Sequence, residues 1–271
     1  MSEAMLERSA TTATLAGARA KPAWSDALRH ILTIAKREVS GYFASPVAYV
    51  FIVIFLLLSG FLTFMVAGFF EHGQANLLSF FAWHPWLYLF LVPAVGMRMW
   101  SEERRLGTME LLLTMPITPW QAIVGKFLAS WLILALALAL TFPLVITVNY
   151  LGHPDNGVIF TGYLGSLLLA GAYLSIASVT SAMTRNQVVS FILSLVVCLF
   201  LILAGWPPVT DLLTQWASPW FVQTIVAFSV VTHFDGLQVG VIDSRDVLFF
   251  LSVILFSLFT TSVILRAHRA G

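Results

Sequence analysis

Long apolar stretches occupy most of this chain, and they restrict it to folds whose helices cross a lipid bilayer. Of its 271 residues, 59% are hydrophobic and 10% are charged, whereas soluble domains carry about 25% charged residues. A helix needs roughly 20 apolar residues to cross the hydrocarbon core. Stretches of this length lie at residues 47–70, 77–100, 120–150, 161–184, 187–205 and 247–265. The predicted fold is an all-α polytopic membrane protein with six transmembrane helices, in a single membrane domain over residues 46–271.

The basic residues predict the orientation of these spans, because cytoplasmic segments retain Lys and Arg. If the N-terminus lies inside, every one of the 14 basic residues except Arg245 falls on the cytoplasmic side. We therefore predict that both termini lie in the cytoplasm. The formal net charge is only +1, and the basic residues are spread over the membrane flanks. We expect membrane lipid around the spans and no nucleic-acid partner.

The N-terminal region precedes the first span and divides into two parts. Residues 1–21 are rich in Ala, Thr, Ser and Arg, which predicts a disordered cytoplasmic tail. Residues 22–45 have the pattern of an amphipathic helix in the cytoplasmic interface, with Arg29, Lys36 and Arg37 on its polar face. Its apolar stripe consists of Leu28, Ile31, Leu32, Ala35, Val39, Tyr42 and Phe43. Two roles stay open for it, a simple membrane anchor and an elbow that also contacts a cytoplasmic partner.

The polar segment, residues 101–126, is the one dense group of charges within the membrane domain, and it reads SEERRLGTMELLLTMPITPWQAIVGK. We expect Ser101 to cap a short cytoplasmic helix between spans 2 and 3, with acidic residues in its first turn; the resemblance described below implies that this is a coupling helix. Gly107 would lie inside this helix, at a cost of about 1 kcal/mol relative to Ala, and Pro116 would end it.

The same segment carries an apolar face that a solvated loop would not need. Leu106, Met109, Leu112 and Leu113 recur at helical spacing, so part of this surface is expected to be covered. Two possibilities stay open for what covers this surface, the protein's own helices and a partner protein.

Two parts of the sequence resemble a known family. The run EERRLGTMELLLTMPITPWQAIVGK resembles the cytoplasmic segment after the second span in permease subunits of ABC-2 type exporters. The amphipathic helix and six spans fit the same family, so the resemblance covers most of the chain beyond residue 22. The run HFDGLQVGVIDSRD, residues 233–246, is similar to the gliding-motility-associated branch, although Val239 stands where that branch often has a basic residue.

This resemblance implies a permease in a bacterial-type cytoplasmic membrane that pairs with a second permease copy, as a homodimer or a similar heterodimer. It also implies two cytoplasmic ABC ATPase subunits, which would bind ATP and Mg and drive export of an unidentified substrate. The residues implied in coupling to the ATPase are Glu102, Glu103, Arg104, Gly107, Thr108, Glu110, Leu112, Leu113, Pro116, Gly125 and Lys126.

The residues themselves are consistent with ATP binding on another chain. Gly125 and Lys126 lack the upstream Gly and the following Ser or Thr of a phosphate-binding loop. The six histidines are dispersed and form no zinc-binding helix motif. We therefore expect no catalytic residue, cofactor or metal on this chain. An ATPase-driven mechanotransmission subunit for an envelope machine stays open as an alternative function.

An autonomous channel or secondary transporter is a further alternative of another class. It would need acidic or histidine relays, or a polar lining, within the spans. His84 alone comes near such a position, and its neighbours Trp83 and Trp86 favour an interfacial aromatic belt over a relay.

Local patterns complete the prediction. Residues 206–246 are expected to form short re-entrant or interfacial helices on the outer side, broken by Pro207, Pro208 and Pro219. We expect Asp243 to cap the last span and Asp246 to complement its N-terminal dipole. Cys198 is expected to be a buried, inert thiol. A packing role is predicted for the small residues of the fourth span, Gly162, Gly165, Ala170, Gly171, Ser175, Ser178 and Ser181.

Overall fold

The computed structural model describes residues 23–71, 75–109 and 118–267, and every regular element in these ranges is a helix. The all-α prediction is therefore confirmed for the described part of the chain. The predicted tail, residues 1–21, lies outside it. The helices are α1 (Ala23–Ala44), α2 (Pro46–Phe61, continued by a π-helical turn at Leu62–Val66), α3 (Leu78–Ala82), α4 (His84–Gly96), α5 (Arg98–Leu106), α6 (Pro119–Ala139), α7 (Phe142–Leu151), α8 (Asn156–Met183), α9 (Gln187–Leu203), α10 (Pro207–Trp216), α11 (Pro219–Val226), α12 (Val230–Gln238) and α13 (Ser244–Ala267).

Four helical segments in the described ranges are long and apolar enough to cross a membrane. They are Pro46–Val66, Pro119–Leu151, Asn156–Met183 and Ser244–Ala267. Two further pairs of helices meet the same test if each bent pair is one span, which brings the number to six. In these pairs α10 is bent by 70° from α9, and α12 by 62° from α11. The short helices predicted within residues 206–246 are thus present, as α10, α11 and α12.

The predicted second span, residues 77–100, differs from a single helix. It consists of α3, α4 and the first turn of α5, separated only by Trp83 and Met97. Pro85 and Pro93 lie in α4 and lack the N–H that a continuous helix needs.

Helix α8 forms the centre of the bundle and packs against α4, α6, α9, α12 and α13. In its most apolar stretch 67% of the residues are buried, against 22% in the first span. Small residues permit this close packing. A Cβ at Gly162 would lie 2.4 Å from the Phe81 ring, and one at Gly171 would lie 3.1 Å from Trp131. The predicted packing role is confirmed, and the contacts are within the chain.

His84 occupies a different environment from the predicted one. It is only 1% exposed, and its Nδ1–H donates a hydrogen bond to the Phe80 carbonyl oxygen at 2.9 Å. The rings of Phe55, Phe80 and Tyr88 surround it, with centroid distances of 4.4 to 6.3 Å. The interfacial-belt prediction is therefore wrong, because the short helix α3 turns this part of the chain into the core.

The start of α13 confirms one capping prediction and adds a contact. The Arg245 backbone N–H donates to Asp243 Oδ1 at 2.9 Å, as expected for a cap. Asp246 lies in the first turn and also contacts His233 Nδ1 at 2.7 Å. His233 in turn stacks on Phe249. Cys198 is buried, as predicted.

Candidate functional site

The described part of the polar segment begins within α5, and two local predictions about it are wrong. Ser101 does not cap a helix, because α5 starts at Arg98, almost continuous with α4. The Ser101 backbone N–H donates instead to Ser181 Oγ on α8 at 3.0 Å. Gly107 lies outside the helix, as its left-handed C-cap with φ +72°. Glycine adopts this conformation without steric cost.

Trp100 holds α5 against the central helix α8. It is fully buried, and its indole N–H donates to Ser178 Oγ at 3.0 Å. Its backbone N–H donates to Ser181 Oγ, also at 3.0 Å, and the Ser181 hydroxyl donates to the Met97 carbonyl oxygen at 2.9 Å. Arg104 adds a hydrogen bond to the Ala182 carbonyl oxygen. Any movement of α5 therefore requires these hydrogen bonds to break or α8 to move with it.

A group of three charged side chains joins α5 to α1 and α6. Lys126 on α6 is 5% exposed, and its Nζ lies 2.9 Å from Glu103 Oε1 and 3.3 Å from Glu38 Oε1. The same ammonium lies 5.4 Å from the centroid of the Trp100 ring, within cation–π range. We call Glu38, Glu103 and Lys126 the Lys126 cluster. A charge this deeply buried is stable only when it is paired.

Glu38 connects the Lys126 cluster to the exposed face of α1. Its Oε1 also accepts a hydrogen bond from Arg37 at 3.0 Å. Burial by itself would raise the pKa of Glu38, but Lys126 and Arg37 outweigh it and hold this pKa below its usual value. The carboxylate therefore stays ionised near neutral pH, as its ion pair with Lys126 requires.

Helix α1 packs tightly on α6 beside this cluster. A Cβ at Gly125 would lie 2.8 Å from Ile34 Cγ2 and 3.1 Å from the Ile31 carbonyl oxygen, so only glycine permits this approach. The Tyr42 hydroxyl and Ser130 Oγ share a hydrogen bond of 2.9 Å. The predicted stripe coincides with the packed face only in part, since Val39, Tyr42 and Phe43 pack against the core. Ile34 is buried, whereas the predicted stripe residues Leu28 and Leu32 are 49% and 64% exposed.

The other predicted site residues that the structure describes lie on the more exposed surface and at the end of α5, or on α1. Glu102 is partly exposed, 4.0 Å from Arg105, while Gly107 and Thr108 are exposed at the end of α5. Leu106, beside them, is 62% exposed. The exposed residues of α1 include Arg29, Lys36 and Arg37. The predicted coupling residues Glu110, Leu112, Leu113 and Pro116 lie outside the described residues.

The structure therefore brings Glu103, Gly125 and Lys126 together and adds residues that the sequence did not single out. These are Glu38, Trp100, Ser178 and Ser181. A lysine two turns inside an apolar helix needs a carboxylate partner, so the position of Lys126 was the available signal for Glu103 and Glu38. The Trp100 contacts with α8 span about 80 residues of sequence and had no local signal.

Chemically, the site consists of paired charges and hydrogen bonds between helices. Among the described residues, no group of three or more His, Cys, Asp or Glu side chains could hold a metal ion. The paired charges and hydrogen bonds of this site are suited to holding α1, α5, α6 and α8 in fixed relative positions.

A bundle of apolar helices long enough to span a membrane, with a charged segment bonded to several of them, is the architecture of a polytopic membrane protein. Residues 71–234 match the model of the ABC-2 family transporter protein, and the chain belongs to this family. Membrane proteins of this family in general have an ATPase partner. No curated protein matches the chain. The matched range contains Glu103 and Lys126 but begins after Glu38.

Proposed function

We propose that this chain is the permease subunit of an ATP-driven exporter in a bacterial-type cytoplasmic membrane. Two permease copies would bind two separate ATPase subunits, which carry the ATP and Mg. The observation that carries this proposal is the position of α5, which is bonded directly to α6 and α8, and through Lys126 to α1, while its far end stays exposed. Such an element can accept force from a partner at one end and pass it to the bundle at the other.

The exposed end of α5 is the proposed contact with the ATPase. Leu106 and Thr108 lie there beside Arg105, and all three side chains are exposed. A large exposed apolar side chain next to charged groups fits the centre of a protein interface. The family resemblance implies that Glu110, Leu112, Leu113 and Pro116, which lie outside the described residues, also take part in coupling to the ATPase.

Movement at this end would reach the spans along two routes. The Lys126 cluster connects α5 to α6 and α1, and the Trp100 hydrogen bonds connect α5 to α8. These are contiguous contacts of the kind that carry coupling between sites. ATP-driven closure of the ATPases would thus tilt several helices together.

The cargo path is proposed to lie between two copies of the chain. The centre of the described bundle is filled by α8 and its buried neighbours, and filled interiors leave no route for a substrate.

Within the family, we propose that this chain belongs to the gliding-motility-associated branch. The support for this proposal is the resemblance of residues 233–246 to that branch.

The docking role of α5 is tested by Leu106→Glu. We expect recovery of an ABC ATPase with the affinity-tagged chain to fall at least about tenfold, because a charge replaces an apolar side chain at the interface. The measurement is quantitative mass spectrometry of the complex purified from its native membrane. Val239→Glu is the matched control, because Val239 is also exposed but lies at the opposite end of the bundle.

Two results would contradict the proposal at different levels. If the unmodified chain copurifies with no ABC ATPase, the exporter function is wrong. If Leu106→Glu recovers as much ATPase as Val239→Glu, the ATPase docks elsewhere and α5 is not its contact.

The orientation is tested with a single-cysteine series. Cys198 is the sole cysteine in the sequence and is buried, so Cys198→Ser provides a cysteine-free background. In it, Arg245→Cys should react with a membrane-impermeant maleimide in intact cells, and Thr108→Cys only after permeabilisation. The reverse pattern would place α5 outside and exclude an ATPase contact there.

A further inference from the structure

A polar cleft lies beside the Lys126 cluster, between α1, α2, α5 and α6. Its volume is about 330 Å³. The charged and polar side chains that line it are those of Glu38, Tyr42, Ser45, Arg98, Glu102, Glu103 and Lys126. A cavity of this size with both signs of charge on its walls is large enough for a small polar ligand group.

One atom of each of two charged side chains at this cleft lacks a hydrogen-bond partner among the described residues. Arg98 Nε and Glu103 Oε2 are both buried, and neither makes a hydrogen bond. Arg98 also forms no ion pair among the described residues, whereas Glu103 uses its other oxygen, Oε1, for Lys126. Leaving such groups buried without partners costs free energy. A ligand that carries an acceptor and a donor a few atoms apart would satisfy both.

An apolar groove adjoins the cleft and provides the second half of a binding site. It lies between α2 and α4, has a volume of about 290 Å³, and is lined by Val47, Val50, Phe51, Ala94 and Val95 among others. Val47 and Arg98 border both the groove and the cleft. The groove is open sideways, since Val50 is 54% exposed. The combined shape fits an amphiphile whose head enters the cleft while a chain lies in the groove.

The charges in the cleft select the type of head. Glu38, Glu102 and Glu103 are acidic, and Arg98 and Lys126 are basic, so the lining has an excess of one negative charge. Arg37 and Arg105 lie outside the cleft but pair with Glu38 at 3.0 Å and with Glu102 at 4.0 Å, and they offset this excess. Groups of both signs at the cleft favour a head that brings a cation together with a phosphate. Three N–H donors on the cation would match free carboxylate oxygens.

We propose that this site binds an aminophospholipid of the phosphatidylethanolamine type. Its phosphate contacts Arg98, its primary ammonium contacts Glu103 Oε2 and Glu102, and one acyl chain lies in the α2–α4 groove. The lipid enters from the bilayer through the open side of the groove. Since the site borders the Lys126 cluster, bound lipid stabilises the junction of α1, α5 and α6 whatever the cargo of the protein.

The test uses the full chain in phosphatidylcholine nanodiscs with a trace of phosphatidylethanolamine that carries a photoreactive group on its acyl chain. We expect cross-linked peptides from residues 46–54 and 91–98. Unlabelled phosphatidylethanolamine should compete about tenfold better than phosphatidylglycerol or additional phosphatidylcholine with the same acyl chains, because neither offers ammonium N–H donors. Soluble phosphoethanolamine at equal concentration should not compete, because it lacks the acyl chain.

Variants separate the two halves of the site. Arg98→Met should reduce specific cross-linking about tenfold, whereas the same substitution at the exposed Arg185 should leave it unchanged. Ala94→Trp fills the groove without a change of charge and should reduce cross-linking to a similar extent. Leu57→Trp, at an exposed position of α2, is its control. Each variant is used only if its unfolding temperature in nanodiscs stays close to that of the unmodified chain.

Several outcomes would overturn the proposal. Equal competition by the three phospholipids would remove the selectivity for a primary ammonium, and efficient competition by soluble phosphoethanolamine would indicate a headgroup site without a lipid. Unchanged cross-linking in the folded Arg98→Met or Ala94→Trp variant would place the lipid elsewhere. In a separate experiment the photoreactive group is attached to the protein at Val50 instead of to the lipid. A cross-link from this position to a second copy of the chain would assign the groove to a dimer contact.

Discussion

Lys126→Met should lower the free energy of unfolding by about 3–5 kcal/mol, the usual cost of removing one partner from a buried ion pair. The reason is that Glu103 and Glu38 would lose their common ammonium partner, at 2.9 and 3.3 Å, while both remain largely buried. The measurement is thermal and denaturant unfolding of the purified chain in lipid nanodiscs. In the complex with an ATPase, the same variant should hydrolyse ATP without driving movement of the spans.

Matched variants distinguish loss of the pair from loss of any lysine. Lys36→Met removes an exposed lysine from α1 and should change stability by less than about 1 kcal/mol. The triple variant Lys126→Met, Glu38→Gln and Glu103→Gln should recover much of the loss, because neutral groups can be buried without a counter-charge. A Lys126→Met protein as stable as Lys36→Met would refute the role of the Lys126 cluster.

The second large effect is expected at Gly125, where α1 and α6 approach most closely. Gly125→Leu would place its Cβ at about the position that lies 2.8 Å from Ile34 Cγ2, with further atoms beyond it. Because the nearby Ile31 contact is to a backbone carbonyl at 3.1 Å, side-chain rotation alone cannot relieve the overlap. We expect a loss of about 1–3 kcal/mol or more from overpacking, together with separation of α1 from α6, measured as faster proteolysis of α1.

Two further variants make this prediction specific. Gly60→Leu on α2 should have little effect, because a Cβ there meets no atom within 4 Å. Ile34→Ala removes the main side-chain obstacle and should restore part of the stability of Gly125→Leu, a coupling that a double-mutant cycle measures. If Gly60→Leu and Gly125→Leu behave alike, the close approach of α1 and α6 is not needed for stability.

The comparison of sequence and structure shows which features local patterns can predict. The helices, the short elements after α9, the cap at Asp243 and the packing role of small residues in α8 all follow from patterns within a few neighbouring residues. The segment around Ser101 was mispredicted, because a Ser followed by two Glu residues also fits a helix interior when a preceding helix supplies the first turn. The sequence around Gly107 likewise does not distinguish an interior glycine from a C-cap.

The contacts of the candidate site depend on tertiary structure to a greater degree. Lys126 was predicted only as one of the residues that couple to the ATPase, although its depth in α6 requires a buried carboxylate. Which carboxylate it meets depends on how α1 and α5 pack against α6, and Glu38 is separated from Lys126 by about a third of the chain. His84 was mispredicted for the same reason, since only the fold of α3 and α4 places it among aromatic rings.

The partners of α5 are distributed unevenly along the chain, and this has a consequence for biogenesis. All members of the Lys126 cluster have been synthesised once residue 126 is complete, whereas the α8 partners of Trp100 are Ser178 and Ser181. At about 5–20 residues per second of translation, the α1–α5–α6 junction exists for roughly 3–11 seconds before α8 can bind it. During that interval Trp100 has none of its α8 hydrogen-bond partners, so the Lys126 cluster is the part of this junction that can form first.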